Sequence, residues 1–264
     1  MIEVDRISKR FGGFTAIRAC SLKVPAGSIT GLIGPNGAGK TTLFNIIAGA
    51  ERPSGGSIRL AGRDVTGLRP YELHHHGLVR TFQIPQEFSS LTVLENLMMV
   101  PEGQIGAQLW AAWLRWGALR REESALRAEA EEVLGFLALS QVAGERAGNL
   151  SGGQKKLLEL GRVMMTGAKM VLLDEPAAGV NRTLLRTLID RIAILRAEQG
   201  YTFFIIEHDM NMMTELCDSV VVMAHGEVLC EGTMAEIREN RAVLEAYLGT
   251  REAAAQKSGG GALA

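Results

Sequence analysis

The first third of the chain alternates short apolar runs with turns. Residues 2–7, 16–24 and 28–33 read as strands, broken at Gly12-Gly13 and at Pro25-Ala26-Gly27. From residue 43 to 50 the pattern turns helical. A turn at residues 53–56, a short strand at 57–60, a second turn at 61–64 and a strand at 78–83 follow. Residues 91–140 have helical character. Thr92 is placed as an N-cap with Glu95 as its capping-box partner, and Pro101 and Gly103 interrupt the pattern. Residues 122–139 read as a charged amphipathic helix. Further on, residues 155–165 and 183–198 run at helical period, while 169–175 and 201–206 are apolar runs suited to buried strands. Residues 219–224 and 227–230, joined at His225-Gly226, read as a hairpin. The Ala/Gly-rich end from Arg251 is expected to be disordered.

Composition narrows the class. The 264 residues suit one large domain or a domain with a subdomain, and 47% hydrophobic residues suffice for a sizeable core. A formal net charge of −1 offers no bulk attraction for nucleic acid. No run approaches the ~18 apolar residues of a membrane span. The opening MIEVDRISKR lacks the continuous apolar stretch of a signal peptide. Cys20, Cys217 and Cys230 are odd in number and widely spaced, which suits thiols of a reducing compartment, so a cytosolic protein is expected. His74, His75 and His76 point in different directions on any regular element, so they make a poor shared metal site and read as a solvated run.

Chemistry concentrates at a few strand ends. Gly34 to Thr42 reads GPNGAGKTT between an apolar strand and a helix, and Gly34, Gly39, Lys40 and Thr41 fit the phosphate-loop pattern. Glycines let the backbone turn its N–H groups toward an anion, and the helix start adds positive potential. Lys40 can reach the β- and γ-phosphates, and the Thr41 hydroxyl suits Mg²⁺. A second such start lies at Asn149 to Gln154, NLSGGQ, with Ser151 as N-cap and Gly152-Gly153 allowing close backbone approach. One protein rarely needs two for one ligand. Asp174 and Glu175 end a buried strand, an expensive place for two carboxylates without a cation. Asp174 suits Mg²⁺ through a water, and Glu175 can orient or deprotonate an attacking water. His208 also ends a strand and can donate to a γ-phosphate. Two features stay open: Phe11 is either ordinary packing or a platform for a purine, and the arc of Leu109, Trp110, Trp113, Leu114 and Trp116 is either packing or a docking face.

In an open parallel sheet ligands bind at the carboxyl ends of the strands, which would bring Lys40, Thr41, Gln83, Asp174, Glu175 and His208 to one edge. That set contains what phosphoryl transfer to water requires.

In order and spacing, Gly34 to Thr41, Gln83, Leu150 to Gln154, Leu172 to Glu175 and His208 resemble the nucleotide-binding subunit of an ATP-binding cassette (ABC) transporter. Arg80-Thr81-Phe82-Gln83, Glu175-Pro176-Ala177-Ala178-Gly179, Glu207-His208-Asp209-Met210 and Glu245-Ala246-Tyr247-Leu248-Gly249 are similar to the branched-chain amino acid importer ATPases, as is the long segment around Trp110 to Trp116. The resemblance covers residues 1–249. It implies an α/β P-loop NTPase core with a mostly parallel sheet, an antiparallel β subdomain, and a helical subdomain, approximately 84–165, carrying the signature. It further implies an ATPase using ATP and Mg²⁺ at the cytoplasmic face of the cell membrane, coupled to transmembrane permease subunits and, through them, to a solute-binding protein. Two ATPase chains, the same or related, would pair head to tail. Gly34, Pro35, Asn36, Gly37, Ala38, Gly39, Lys40, Thr41 and Thr42 would hold one ATP, and Ser151, Gly152, Gly153 and Gln154 would serve the partner's. Phe11 would stack on adenine, Thr41, Asp174 and Gln83 would face the metal, and Glu175, His208 and Gln83 would act at the γ-phosphate. Cargo stays open between branched-chain amino acids, urea or short amides, and a lipid for export, as does a soluble ABC ATPase that remodels assemblies. The chain departs from the family at Asn181, where an Asp is usual, which puts coupling between the two sites in question.

Overall fold

The computed structural model describes residues 1–81, 87–101 and 116–247. Ile2–Phe11 (β1) and Phe14–Val24 (β2) form an antiparallel pair that closes on Gly12-Gly13 with Phe11 opposite Phe14. The strand runs beyond its apolar stretch because Lys9 and Arg10 continue the ladder opposite Ile17 and Thr15. Gly55–Leu60 (β4) pairs with β1, and Arg63–Asp64 (β5) returns along it. The turn expected over residues 61–64 is therefore shorter. Ala61 and Gly62 alone make it, at φ 48 and 81, the doubly positive geometry that two-residue hairpins favour. This sheet runs β2-β1-β4-β5 among the described residues.

The second sheet is built from Ile29–Ile33 (β3), Leu78–Arg80 (β6), Met170–Asp174 (β7), Thr202–Ile206 (β8), Ser219–Ala224 (β9) and Glu227–Gly232 (β10), in the order β10-β9-β3-β8-β7-β6. Every pairing is parallel except that of β10 with β9. β3, β7 and β8 are buried along their whole length, which explains why they read as continuous apolar runs rather than alternating ones. β6 closes at Arg80; the strand was expected to reach Gln83, which lies outside the described residues.

Among the described residues the α-helices are Lys40–Ile47 (α1), Pro70–His75 (α2), Val93–Met98 (α3), Trp116–Phe136 (α4), Gly152–Met165 (α5), Arg182–Gln199 (α6), Met210–Leu216 (α7) and Met234–Glu239 (α8). None of the described helices is long and apolar enough to cross a membrane. The side chains of Leu109, Trp110, Trp113, Leu114 and Trp116, and everything from Leu248 onward, lie outside the described residues.

Two compact units divide the chain. The first comprises residues 1–80, 169–175 and Leu195 onward, and holds both sheets. The two faces of its parallel sheet are covered differently. Leu32, Leu172, Phe204, Val221 and Met223 face a large cluster with Leu43 and Phe44 of α1 and Ile2, Ile17 and Leu22 of the antiparallel sheet. Ile33, Val220 and Val222 face the other way, onto Met213 of α7 and Met234 and Ile237 of α8. The alternation along β9 is the period of two that a strand imposes. Phe44 and Phe204, fully buried, bring their rings to 5.4 Å beneath the phosphate-loop helix. Each such side chain contributes about 1.5–3 kcal/mol by burial, and this packing holds α1 onto the strand ends.

The second unit comprises residues 81–168 and 176–194. Thr92 caps α3 as expected: its hydroxyl accepts from the Glu95 amide at 3.1 Å, and Glu95 accepts from the Thr92 amide at 2.7 Å. Buried Asn96 ties down the segment before it, exchanging hydrogen bonds with the backbone of Phe88 at 2.9 and 3.1 Å. At Gly161 of α5, an added Cβ would stand 2.7 Å from Leu137 Cδ1 and 3.1 Å from Leu97 Cδ2, so the side chains of Leu137 and Leu97 pack closely over this glycine.

Candidate active site

The loop from Gly34 to Gly39 joins β3 to α1, and at two of its glycines any side chain would be strained. Gly34 holds φ 150, and a Cβ there would lie 2.1 Å from the Met223 carbonyl oxygen. Gly39 is the N-cap of α1 at φ 97, where a Cβ would lie 2.9 Å from the Ala16 carbonyl oxygen. A glycine N-cap supplies no side-chain acceptor, so the first-turn amides have no capping group. That is the arrangement an anion fills. The turn between β9 and β10, with His225 at φ 52 and Gly226 at φ 82, braces the loop: the Gly226 amide donates to the Ala38 carbonyl at 3.1 Å.

Lys40 is buried and folded over this loop. Its Nζ donates to the carbonyls of Gly34 at 2.7 Å and Pro35 at 3.1 Å. Burial lowers its pKa, and the charge of Glu175 opposes that shift. The ammonium thus already stands over the phosphate loop, bonded to neutral acceptors that anionic oxygens can displace.

A cleft of about 300 Å³ opens here, lined by Asn36 to Thr42 together with Phe14, Glu175 and His208. Its size suits a small-molecule ligand. Glu175 follows β7 at φ 47, a left-handed conformation unusual for a glutamate, and its amide donates to the Ile206 carbonyl at 2.9 Å. Such backbone costs of order 1–3 kcal/mol and clusters at functional sites. One Glu175 oxygen lies 3.4 Å from His208 Nε2. His208 is oriented from behind: the buried Glu207 carboxylate accepts from the amides of His208 at 2.6 Å and Asp209 at 3.1 Å. Asp209 then caps α7, accepting from Asn211 and Met212. Asp174 closes β7, buried, with Arg80 Nη2 at 2.6 Å.

Lys40, Thr41, Glu175 and His208 are therefore brought to one cleft, with Asp174 one residue from its wall. Phe11 is at the neighbouring hairpin end but does not line the cleft; Lys9 Nζ sits 4.9 Å from its ring centroid. Its cross-strand neighbour Phe14 lines it instead and is 67% exposed. Sequence reasoning passed over Phe14, although an aromatic just across a Gly-Gly turn was the available signal. It named Glu207 only within the motif Glu207-His208-Asp209-Met210, and the role of this carboxylate is legible only once its amide partners are known.

In the second unit, Ser151 caps α5. Its hydroxyl accepts from the Gln154 amide at 3.4 Å, and Gln154 Oε1 accepts from the Ser151 amide and hydroxyl, each at 2.9 Å. A Cβ on Gly153 would meet Leu184 Cβ at 2.9 Å and Cδ1 at 2.7 Å, so this glycine lets α5 approach α6 within the chain itself. Lys155 of the same helix pairs with Glu87 at 2.8 Å. Burial raises the pKa of Glu87, but the hydrogen bond of Lys155, a backbone hydrogen bond, the charge of Lys155 and the Ser89 hydroxyl together outweigh it and hold the carboxyl below its ordinary value. Asn181 caps α6, accepting from the Leu184 amide at 2.9 Å.

Similarity to known proteins agrees with this geometry. The ABC transporter family profile matches residues 17–178, and that of the branched-chain amino acid ATP-binding cassette transporter matches residues 227–253. The probable branched-chain amino acid transport ATP-binding protein LivG of Archaeoglobus fulgidus is 40% identical over 255 residues, 96% of each chain. The high-affinity branched-chain amino acid transport ATP-binding protein BraF of Pseudomonas aeruginosa is 39% identical, covering 94% of this chain and 98% of the other. The ADP conformation of an ATP-binding cassette of an ABC transporter superposes with a TM-score of 0.80 at 37% identity, over 94% of this chain and 98% of that one. The chain belongs to the ABC transporter family as one of its ATP-binding cassettes.

Proposed function

We propose that this chain is the ATP-hydrolysing subunit of an importer of branched-chain amino acids. The observation that carries the chemistry is the convergence on one cleft of the phosphate loop, Lys40, and a glutamate held at φ 47 beside His208. The observation that carries the cargo is likeness over nearly the whole chain to LivG and BraF, both described as branched-chain amino acid transport proteins.

The amides of the phosphate loop bind the β- and γ-phosphates, and Lys40 exchanges its loop carbonyls for their oxygens. The Thr41 hydroxyl and the Asp174 carboxylate are hard oxygen donors on adjoining elements and fit Mg²⁺. Bound there, the ion would neutralise charge on the phosphates. Glu175 orients a water on the γ-phosphate and takes its proton as the oxygen attacks phosphorus and ADP leaves. His208 donates to the γ-phosphate and sets the position of Glu175. Gln83 senses the γ-phosphate and metal. Phe11 stacks on adenine, with Phe14 beside it. Ser151, Gly152, Gly153 and Gln154 serve ATP on a second ATPase chain, related head to tail. Permease subunits anchor the pair at the cytoplasmic face of the membrane and receive cargo from a solute-binding protein.

Glu175→Gln is expected to bind ATP normally and lose turnover by about 10²-fold or more, measured by phosphate release against nucleotide titration; unaltered turnover would remove Glu175 from its role. For the partners, the tagged chain is to be recovered from detergent-solubilised membranes and its companions identified by mass spectrometry. Two permeases are expected, with leucine uptake on reconstitution. Urea or lipid transport by the reconstituted complex would change the cargo, and solely soluble companions would replace the importer with a remodelling ATPase.

A further inference from the structure

Arg80 closes β6, next to β7 in the parallel sheet and opposite Leu172, two residues before Asp174. Its long side chain runs along the sheet edge to three partners. Nη2 donates to Asp174 Oδ2 at 2.6 Å, Nη1 donates to Asn45 Oδ1 at 2.6 Å, and the guanidinium lies 5.4 Å from the Phe44 ring centroid. The pair is largely buried, with side-chain exposures of 16% for Arg80 and 9% for Asp174. Arg80 Nε is itself buried without a partner among the described residues, so the guanidinium is held here against a real desolvation cost.

Asn45 and Phe44 lie on α1, the helix that begins with Lys40 and Thr41. Arg80 therefore links the helix bearing Thr41 to the strand bearing Asp174, the two residues assigned above to the metal. A planar guanidinium bonded to one carboxylate oxygen restricts the plane and rotamer of that carboxylate, which a point charge such as Lys does less well. It also supplies positive charge beside Asp174, a carboxylate at a buried strand end. A plain structural salt bridge would need neither the second tether to Asn45 nor placement on the metal-facing carboxylate.

We propose that Arg80 is a positioning residue that orients Asp174 for the metal and so sets the Mg²⁺ dependence of nucleotide binding. This rests on the reading of Asp174 as a metal ligand. Residues that orient metal ligands typically change metal affinity by 10–100-fold when removed.

The test uses the purified full chain and a fluorescent ATP analogue, titrated with Mg²⁺ and, separately, in EDTA. In Arg80→Gln the metal-free affinity should stay within about twofold of the parent, while the Mg²⁺ concentration for half-maximal binding rises about 10-fold or more. Arg80→Lys, which keeps the charge but not the fork, should shift less, and Asn45→Ala, which removes one tether, should shift in the same direction. A parental Mg²⁺ profile in Arg80→Gln, with only a lowered melting temperature, would make Arg80 a structural brace and overturn the inference. Should that variant not fold, parental profiles in both Arg80→Lys and Asn45→Ala overturn it instead. Asp174→Asn separates the two claims: if it leaves the Mg²⁺ profile unaltered, the metal assignment fails, whereas a shift there without one at Arg80 rejects the inference alone.

Discussion

Two helices of this chain begin on glycine-rich loops, and they begin in opposite states. The start of α1 has glycine at the N-cap, with φ 97 and no capping side chain. The start of α5 is closed by its own residues, with Ser151 and Gln154 forming a reciprocal box. The glycines differ as well. Gly39 is there for a backbone angle and a neighbouring carbonyl, while Gly153 has ordinary helical backbone and is there because Leu184 leaves no room for a Cβ. An uncapped start can receive phosphate without giving anything up. A capped start must exchange existing hydrogen bonds for new ones, so it responds only when a ligand offers better acceptors. On the proposed function, the first is the resident phosphate site and the second answers to a neighbouring chain's nucleotide.

The sharpest way to break this comparison is Gly39→Ala. It adds left-handed strain of about 1–3 kcal/mol to a Cβ placed 2.9 Å from the Ala16 carbonyl. Nucleotide affinity should fall by about 10-fold or more, since each 1.4 kcal/mol is a factor of ten. Fluorescent-nucleotide titration measures it, and parental affinity would show that the loop does not depend on this angle.

Gly153→Ala should act on the fold. Overpacking against Leu184 costs about 1–3 kcal/mol, while replacing a helical glycine returns at most about 1 kcal/mol. A net loss of roughly 1 kcal/mol is expected by denaturant unfolding, with nucleotide affinity of the isolated chain unaltered. A stabilised variant would mean that Leu184 moves aside freely.

Why one glycine motif was legible and the other only partly so follows from what each glycine answers to. The phosphate loop is a local structure: strand, turn and helix are consecutive, so residues 34–42 carry the whole argument. The strand ends at Asp174 and His208 were readable for the same reason, through continuous apolar runs. Gly153 answers to Leu184, far along the chain, and no spacing announces that. Arg80 was legible as a residue inside the strand expected over 78–83 but not as a partner of Asp174 and Asn45, because those contacts exist only after parallel pairing of β6 and β7. Residues 63–64 read as part of a turn because a two-residue strand has no periodicity to detect.

A smaller effect is expected at Gln154→Ala. It removes the acceptor for the Ser151 amide and hydroxyl but leaves the Ser151 cap itself. Capping interactions of this kind contribute about 0.3–1.5 kcal/mol. Hydrogen exchange should quicken at the first turn of α5 while the amides of α1 keep their protection. Equal loosening of both helices would mean that the two starts are not independent.

The smallest effect should come from Asn181→Asp, which restores the family's usual residue. Asn and Asp are about equally good N-caps, and Asn181 already accepts from the Leu184 amide at 2.9 Å. An added negative charge at a helix N-terminus stabilises by about 0.3–1 kcal/mol when exposed. The melting temperature should therefore stay level or rise slightly. With the fold unperturbed, the dependence of hydrolysis on ATP concentration reports on coupling between paired sites without interference from stability. A marked fall in melting temperature would instead mean that Asn181 does more in this chain than cap α6, and that its amide group, which Asp lacks, is what the position requires.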